Sequence, residues 1–148
     1  MVFWYLIAIM RKILNISDAA AIAIHAMAYL STSKRPSSSI RDIAGALTVS
    51  EHHLSKVMQK LKKAGLVESY KGPCGGFAFK LDPSEVSFLD ILEAIDGPFH
   101  EFGSCLFSRK AVCGPSCLMG CFLEKFTTEA REFLSSKKLP EKHAATPF

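Results

Sequence analysis

Residues 39–81 read SIRDIAGALTVSEHHLSKVMQKLKKAGLVESYKGPCGGFAFKL. Ser39 stands before Ile40, Ile43, Ala44 and Leu47, apolar positions at helical spacing, with Asp42 three residues behind the serine. That is an N-cap with an acid in the first turn, and it predicts a short helix. Thr48 and Val49 leave room for a tight turn only. Ser50 then offers a cap to a second helix, in which Leu54, Val57, Met58 and Leu61 fall at i, i+3, i+4 and i+7. The other face carries His52, His53, Ser55, Lys56, Gln59 and Lys60, all able to form hydrogen bonds. Gly65 ends the helix with a residue that can take positive φ. Leu66–Tyr70 and Phe77–Leu81 read as short strands, the second alternating Phe77, Phe79 and Leu81 on one side. Lys71-Gly72-Pro73-Cys74-Gly75-Gly76 joins them as a turn. A short helix, a turn, a helix with an apolar back and a polar front, and a glycine-rich hairpin together make a winged helix-turn-helix.

Upstream, Ala19, Ile22, Ala23, Ala26, Met27 and Leu30 recur every three or four residues, which predicts a helix over residues 17–31. The polar STSKRPSS that follows is a loop. Downstream, Ser87 with Asp90 forms a capping box, and Phe88, Leu89, Ile91, Leu92 and Ile95 supply a buried helix that stops at Asp96-Gly97-Pro98. Residues 99–121 form a looser segment holding four cysteines. A long amphipathic helix follows over residues 122–139, with Phe126, Ala130, Phe133 and Leu134 on one side. With few local partners, that helix is expected to pack on a second subunit and make a homodimer. The fold class is therefore mainly α with a small β-hairpin: a winged helix-turn-helix over residues 11–98 plus a long C-terminal dimerisation helix. Residues 140–148 are expected to be disordered.

The opening MVFWYLIAIM is apolar but about half the length needed to cross a bilayer. Its basic residues, Arg11 and Lys12, follow the apolar run instead of preceding it, unlike a secretory signal. The reading is a misassigned start with Met10 as initiator, or else a disordered extension, and no membrane partner. The 148 residues suit one domain with an ordinary apolar content. Charge is uneven: nine Lys/Arg stand against three acids between Lys34 and Lys80, while acids outnumber bases elsewhere. A positive segment on an acidic body is the footprint of a module that meets phosphates. Five cysteines, four of them between Cys105 and Cys121, allow a disulfide scaffold in a secreted protein or a metal or redox site in a cytoplasmic one. The odd count favours the second. A thiol oxidoreductase would want a CxxC pair beside a βαβ pattern, and neither is present, so an enzyme is not expected.

Leu54–Phe77, LSKVMQKLKKAGLVESYKGPCGGF, resembles the recognition helix and wing of the Rrf2 family of bacterial transcription regulators. LDILEAIDGP (Leu89–Pro98) and spaced cysteines ahead of Ala130-Arg131 extend the resemblance over nearly the whole chain, from about Arg11 to Leu139. Two departures stand out. Cys74 occupies a place where the family usually has glycine, and the cysteine spacing differs from the family's more even one.

The DNA-facing candidates are Ser39, Arg41, Ser50, His52, His53, Ser55, Lys56, Gln59, Lys60 and Lys71, with the wing glycines Gly75 and Gly76. Lysines would contact phosphate, and His52, His53, Ser55 and Gln59 would reach base edges of double-stranded DNA. Thiolates suit an iron–sulfur cluster or zinc. The resemblance implies Cys105, Cys113 and Cys121 as ligands of a [2Fe-2S] or [4Fe-4S] cluster, with Cys117 as spare thiol or substitute. It also implies Asp18 or Glu124 as a non-cysteine ligand; a surface acid, or for Asp18 a helix-dipole role, is the plainer alternative. The alternatives to a cluster-modulated regulator are a cluster-free one responding to thiol oxidation or a small metabolite, and a winged-helix protein-interaction module.

Overall fold

The computed structural model describes residues 16–72, 75–99 and 120–139. Ser17 caps α1 (Asp18–Thr32), its hydroxyl accepting from the Ala20 amide at 3.0 Å. Ala20, Ala23, Ala26, Met27, Ala28 and Leu30 are all buried. The helix is thus enclosed on most of its circumference, and its small alanines let the helices Ile40–Leu47, Glu51–Lys63 and Phe88–Asp96 approach closely.

Both expected caps of the helix pair form. Ser39 Oγ accepts from the Asp42 amide at 3.1 Å at the start of α2 (Ile40–Leu47). Ser50 Oγ accepts from the His53 amide at 3.5 Å at the start of α3 (Glu51–Lys63). Between them Thr48 takes φ 55 and ψ 44, the only left-handed non-glycine among the described residues. That conformation turns the chain so that the Val49 amide bonds back to the Ala44 carbonyl at 3.1 Å. Ile43 and Ala44 of α2 then bury against Leu54, Val57, Met58 and Leu61 of α3.

β1 (Val67–Tyr70) and β2 (Gly76–Phe79) pair antiparallel, with Val67 opposite Phe79 and Tyr70 opposite Gly76. The hairpin is tied to the loop before α2: the Ser38 amide donates to the Phe77 carbonyl at 3.0 Å, and the Phe77 amide to the Ser38 carbonyl at 2.8 Å. The expected alternation does not reach Leu81. Phe77 is buried and Phe79 half-buried, but Leu81 is 46% exposed. The strand has ended by then, and Pro83 opens a 3-10 turn, Pro83–Glu85, that changes the period.

The capping box of α4 (Phe88–Asp96) is complete, with the Asp90 amide donating to Ser87 Oγ at 3.1 Å and the Ser87 amide to the Asp90 carboxylate at 2.8 Å. α5 (Gly120–Ser136) packs on α4 and buries Leu123, Thr127 and Leu134. It therefore has more local partners than its sequence suggested. Beyond it the chain returns to the body, where the Leu139 amide meets the Val86 carbonyl at 3.2 Å and Leu139 is buried. Phe122 and Phe133 remain 59% and 52% exposed on the outer side of α5. Among the described residues no helix is long and apolar enough to cross a membrane. The expectations placed on the apolar start, Cys74, Cys105, Cys113, Cys117 and residues 140–148 lie outside the described residues.

Candidate nucleic-acid interface and cysteine site

Four buried side chains fix the rotation of α3, and that rotation decides what solvent meets. His52, Lys56, Gln59 and Lys63 recur at i, i+4, i+7 and i+11 and lie opposite the buried stripe. All four are exposed. Lys63 is absent from the residues expected to face DNA, yet the same helical spacing that marks Lys56 and Gln59 places it in this row. His53 is exposed on one flank, and Ser55 is half-buried on the other.

Two lysines of α3 are engaged with the protein. Lys62 Nζ donates to Ser69 Oγ, joining the helix to the wing. Lys60 Nζ donates to the Ile95 carbonyl at 3.0 Å, so its ammonium is turned toward the end of α4 and away from the open row. Ser39 and Ser50 both spend their hydroxyls on capping. Arg41 is exposed at the start of α2, and the neighbouring Arg35 pairs with Asp42 at 3.3 Å.

The wing presents Lys71 beside Tyr70, both exposed. The Tyr70 hydroxyl donates to the Glu68 carboxylate; this bond, aided by the negative charge of Glu68, holds the phenol proton above its ordinary range. Tyr70 was not among the expected site residues; an aromatic next to the wing lysine was the available signal. The two wing glycines have steric causes. A Cβ on Gly75 would lie 2.6 Å from the Tyr70 carbonyl oxygen, and one on Gly76 would collide with the Ser38 carbonyl. Gly75 closes the hairpin, and Gly76 admits the strand to the HTH loop.

Of the expected ligands, Cys121 is an exposed free thiol in the first turn of α5. Glu124, one turn on, shares with it a shallow depression also lined by Lys125, Thr128 and Glu129. Among the described residues its lining comes from α5 alone. Asp18 is exposed in the first turn of α1, where the helix dipole favours a carboxylate. Among the described residues no three His, Cys, Asp or Glu side chains converge on one point. What the structure does gather is the surroundings of the cysteine segment. The Phe99 amide donates to Glu93 Oε1 at 3.1 Å, and Arg131 of α5 lies 4.0 Å from the same oxygen. Phe99, where the segment begins, and Arg131, in the middle of the helix that follows it, therefore meet one carboxylate of α4.

Residues 16–141 match the family model Rrf2, described as iron-dependent transcriptional regulator. An Aquifex aeolicus protein assigned as an HTH-type transcriptional regulator is 34% identical over 90 residues, covering 61% of this chain and 62% of that protein. The chain thus spans less than two thirds of that curated relative. The structure of CymR, titled the global cysteine regulator of B. subtilis, superposes with a TM-score of 0.74 at 24% identity, covering 89% of this chain and 98% of the other. IscR of T. potens gives 0.64 at 25% identity, covering 88% and 92%.

Proposed function

Because the chain belongs to the Rrf2 family of transcriptional regulators, we propose that it is a cytoplasmic, homodimeric regulator that binds an operator in double-stranded DNA and adjusts its affinity through the cysteines of residues 105–121. The observation that carries this reading is the row His52, Lys56, Gln59 and Lys63, exposed on a helix whose opposite side is core. Such a helix can enter a major groove without unpacking anything. Lys56, Lys63, Arg41 and Lys71 would meet phosphates, and His52, His53, Ser55 and Gln59 would read bases. The wing, with Gly75 and Gly76 fixing its path, would lie along the adjacent backbone. Exposed Phe122 and Phe133 on α5 support a second copy as the partner of that helix.

Cys105, Cys113 and Cys121 would hold an iron–sulfur cluster, with Cys117 as a substitute thiolate and Glu124 or Asp18 as an oxygen donor. When bound, such a cluster supplies a group whose charge and presence follow redox state or iron supply. The exposure of Cys121 and the nearness of Glu124 on the same surface support this ligand set. The same exposed thiol favours one second reading, a cluster-free regulator that responds to thiol oxidation or to a small metabolite.

Anaerobic purification with absorption spectroscopy and iron and sulfide analysis separates the two. Visible charge-transfer bands with stoichiometric iron and sulfide are expected, lost in Cys121→Ser; a colourless protein whose operator affinity still changes on thiol oxidation selects the second reading. For the DNA part, Lys56→Ala should reduce the slope of log affinity against log salt by about 0.9 for each subunit, one phosphate contact apiece. Gln59→Ala should change the preference at one base pair by roughly 1–3 kcal/mol. Unchanged binding in both variants would sink this docking.

A further inference from the structure

Lys60 has the wrong geometry for a phosphate contact and the right geometry for something else. Its ammonium donates at 3.0 Å to the carbonyl of Ile95, one of the last carbonyls of α4, which no helical amide can satisfy. The residues around that carbonyl form a junction. Asp96 accepts from the Ser17 amide at 3.1 Å and from the Ser17 hydroxyl, fixing the start of α1. One turn earlier, Glu93 receives the Phe99 amide and Arg131 of α5. The last turn of α4 is therefore bonded to the helix that faces solvent with the base-reading row, to the N-terminus of α1, to the residue that begins the cysteine segment, and to the helix that follows it. At Gly97, φ 89 turns the chain away from this point toward that segment.

We propose that Lys60 is a positioning residue: it fixes α3 to the end of α4, so that a change held by the thiols of residues 105–121 is passed to the angle at which α3 meets DNA. This rests on the proposed function. Phe99 and Arg131 stand on either side of residues 100–119 in the chain and both meet Glu93, so a change at the thiols would reach the Glu93–Asp96 turn from both sides. Lys60 is the hydrogen bond by which that turn holds α3 directly. It lies on the flank between the core stripe and the open row, so a shift of the Ile95 carbonyl pulls on α3 beside its buried stripe of Leu54, Val57, Met58 and Leu61 and tilts the open row with it.

The test measures operator affinity by fluorescence anisotropy, across a salt series, for protein purified anaerobically and for the same protein after chelation and alkylation of its thiols. Wild type, Lys60→Met and Lys60→Arg are compared, with Lys56→Ala as the phosphate-contact control. In the wild type the two states should differ by roughly 5- to 150-fold. Lys60→Met should bring that ratio to within about twofold of one while leaving the salt slope unchanged, and Lys60→Arg, which can still donate to the carbonyl, should retain most of the ratio. A wild-type ratio preserved in Lys60→Met overturns this proposal and leaves the regulator reading intact. A wild-type ratio of one overturns cysteine-linked regulation itself. The salt series decides the role of Lys60 in either case: a slope reduced by about 0.9 for each subunit in Lys60→Met makes it a phosphate contact and ends the proposal.

Discussion

Gly76→Ala is the sharpest test of how the wing is placed. The added Cβ would fall on the Ser38 carbonyl, a backbone group that cannot rotate aside. The strand would have to withdraw, and the two bonds between Ser38 and Phe77, at 3.0 and 2.8 Å, would lengthen or break. Each contributes about 1 kcal/mol net. Phe77 is 6% exposed and would lose part of its burial, about 1 kcal/mol of the roughly 1.5–3 kcal/mol a buried aromatic is worth. A loss of about 3 kcal/mol follows, a fall in Tm of roughly 6–12 °C for a chain of this size. Gly45→Ala is the matched control. Nothing lies within 4 Å of its new Cβ, the position is interior to α2, and stability should rise by about 0.5–1 kcal/mol. Urea unfolding followed by circular dichroism measures both. A Gly76→Ala variant within about 0.5 kcal/mol of wild type would refute the steric account of the double glycine.

Three further perturbations follow from the packing. Thr48 is β-branched and left-handed at φ 55, so Thr48→Asn should gain roughly 1 kcal/mol, seen as a higher urea midpoint; a lower midpoint would mean that the hydroxyl or methyl contributes more than the backbone loses. Ser87→Ala removes the hydroxyl half of the capping box, while the residue-87 amide can still donate to Asp90, and should cost about 1 kcal/mol at unchanged m-value, whereas a loss under about 0.3 kcal/mol would show the hydroxyl cap of α4 to be ornamental. Phe122→Glu combined with Phe133→Glu places charges on the outer side of α5 at exposed positions, so folding should survive while sedimentation moves from dimer to monomer; a variant that sediments as the wild type does would remove α5 from the interface.

Much of the fold was legible because caps and periodicity are local. Ser39, Ser50 and Ser87 each needed only the next three residues to declare a helix start, and all three accept the expected amide. The strand alternation misled at Leu81 because a period-2 pattern carries no information about where pairing stops; β2 ends at Phe79, and Pro83 opens the 3-10 turn. For α5 the apolar spacing puts Phe126, Ala130, Phe133 and Leu134 on one side, with few local partners. The helix packs on α4 and buries Leu123, Thr127 and Leu134, and a threonine at 1% exposure is invisible to an apolar count. Its hydroxyl is satisfied by the Leu123 carbonyl at 2.9 Å, which makes that burial tolerable.

The site divides along the same line. Exposure of His52, His53, Lys56 and Gln59 follows from the phase of one helix, so the sequence sufficed. Lys60 has the same residue type and the same helix as Lys56, and composition treats them alike. What separates them is the Ile95 carbonyl, 35 residues away in the chain, at a helix end whose location in space no local pattern reports. A lysine count therefore overstates the phosphate-binding surface by each ammonium that the fold has already recruited, here Lys60 to α4 and Lys62 to the wing. The charge proposed to meet DNA, Lys56 and Lys63 on α3 with Arg41 on α2 and Lys71 on the wing, is smaller than the nine basic residues of the segment. A salt slope nearer four phosphate contacts per subunit than nine is the corresponding expectation.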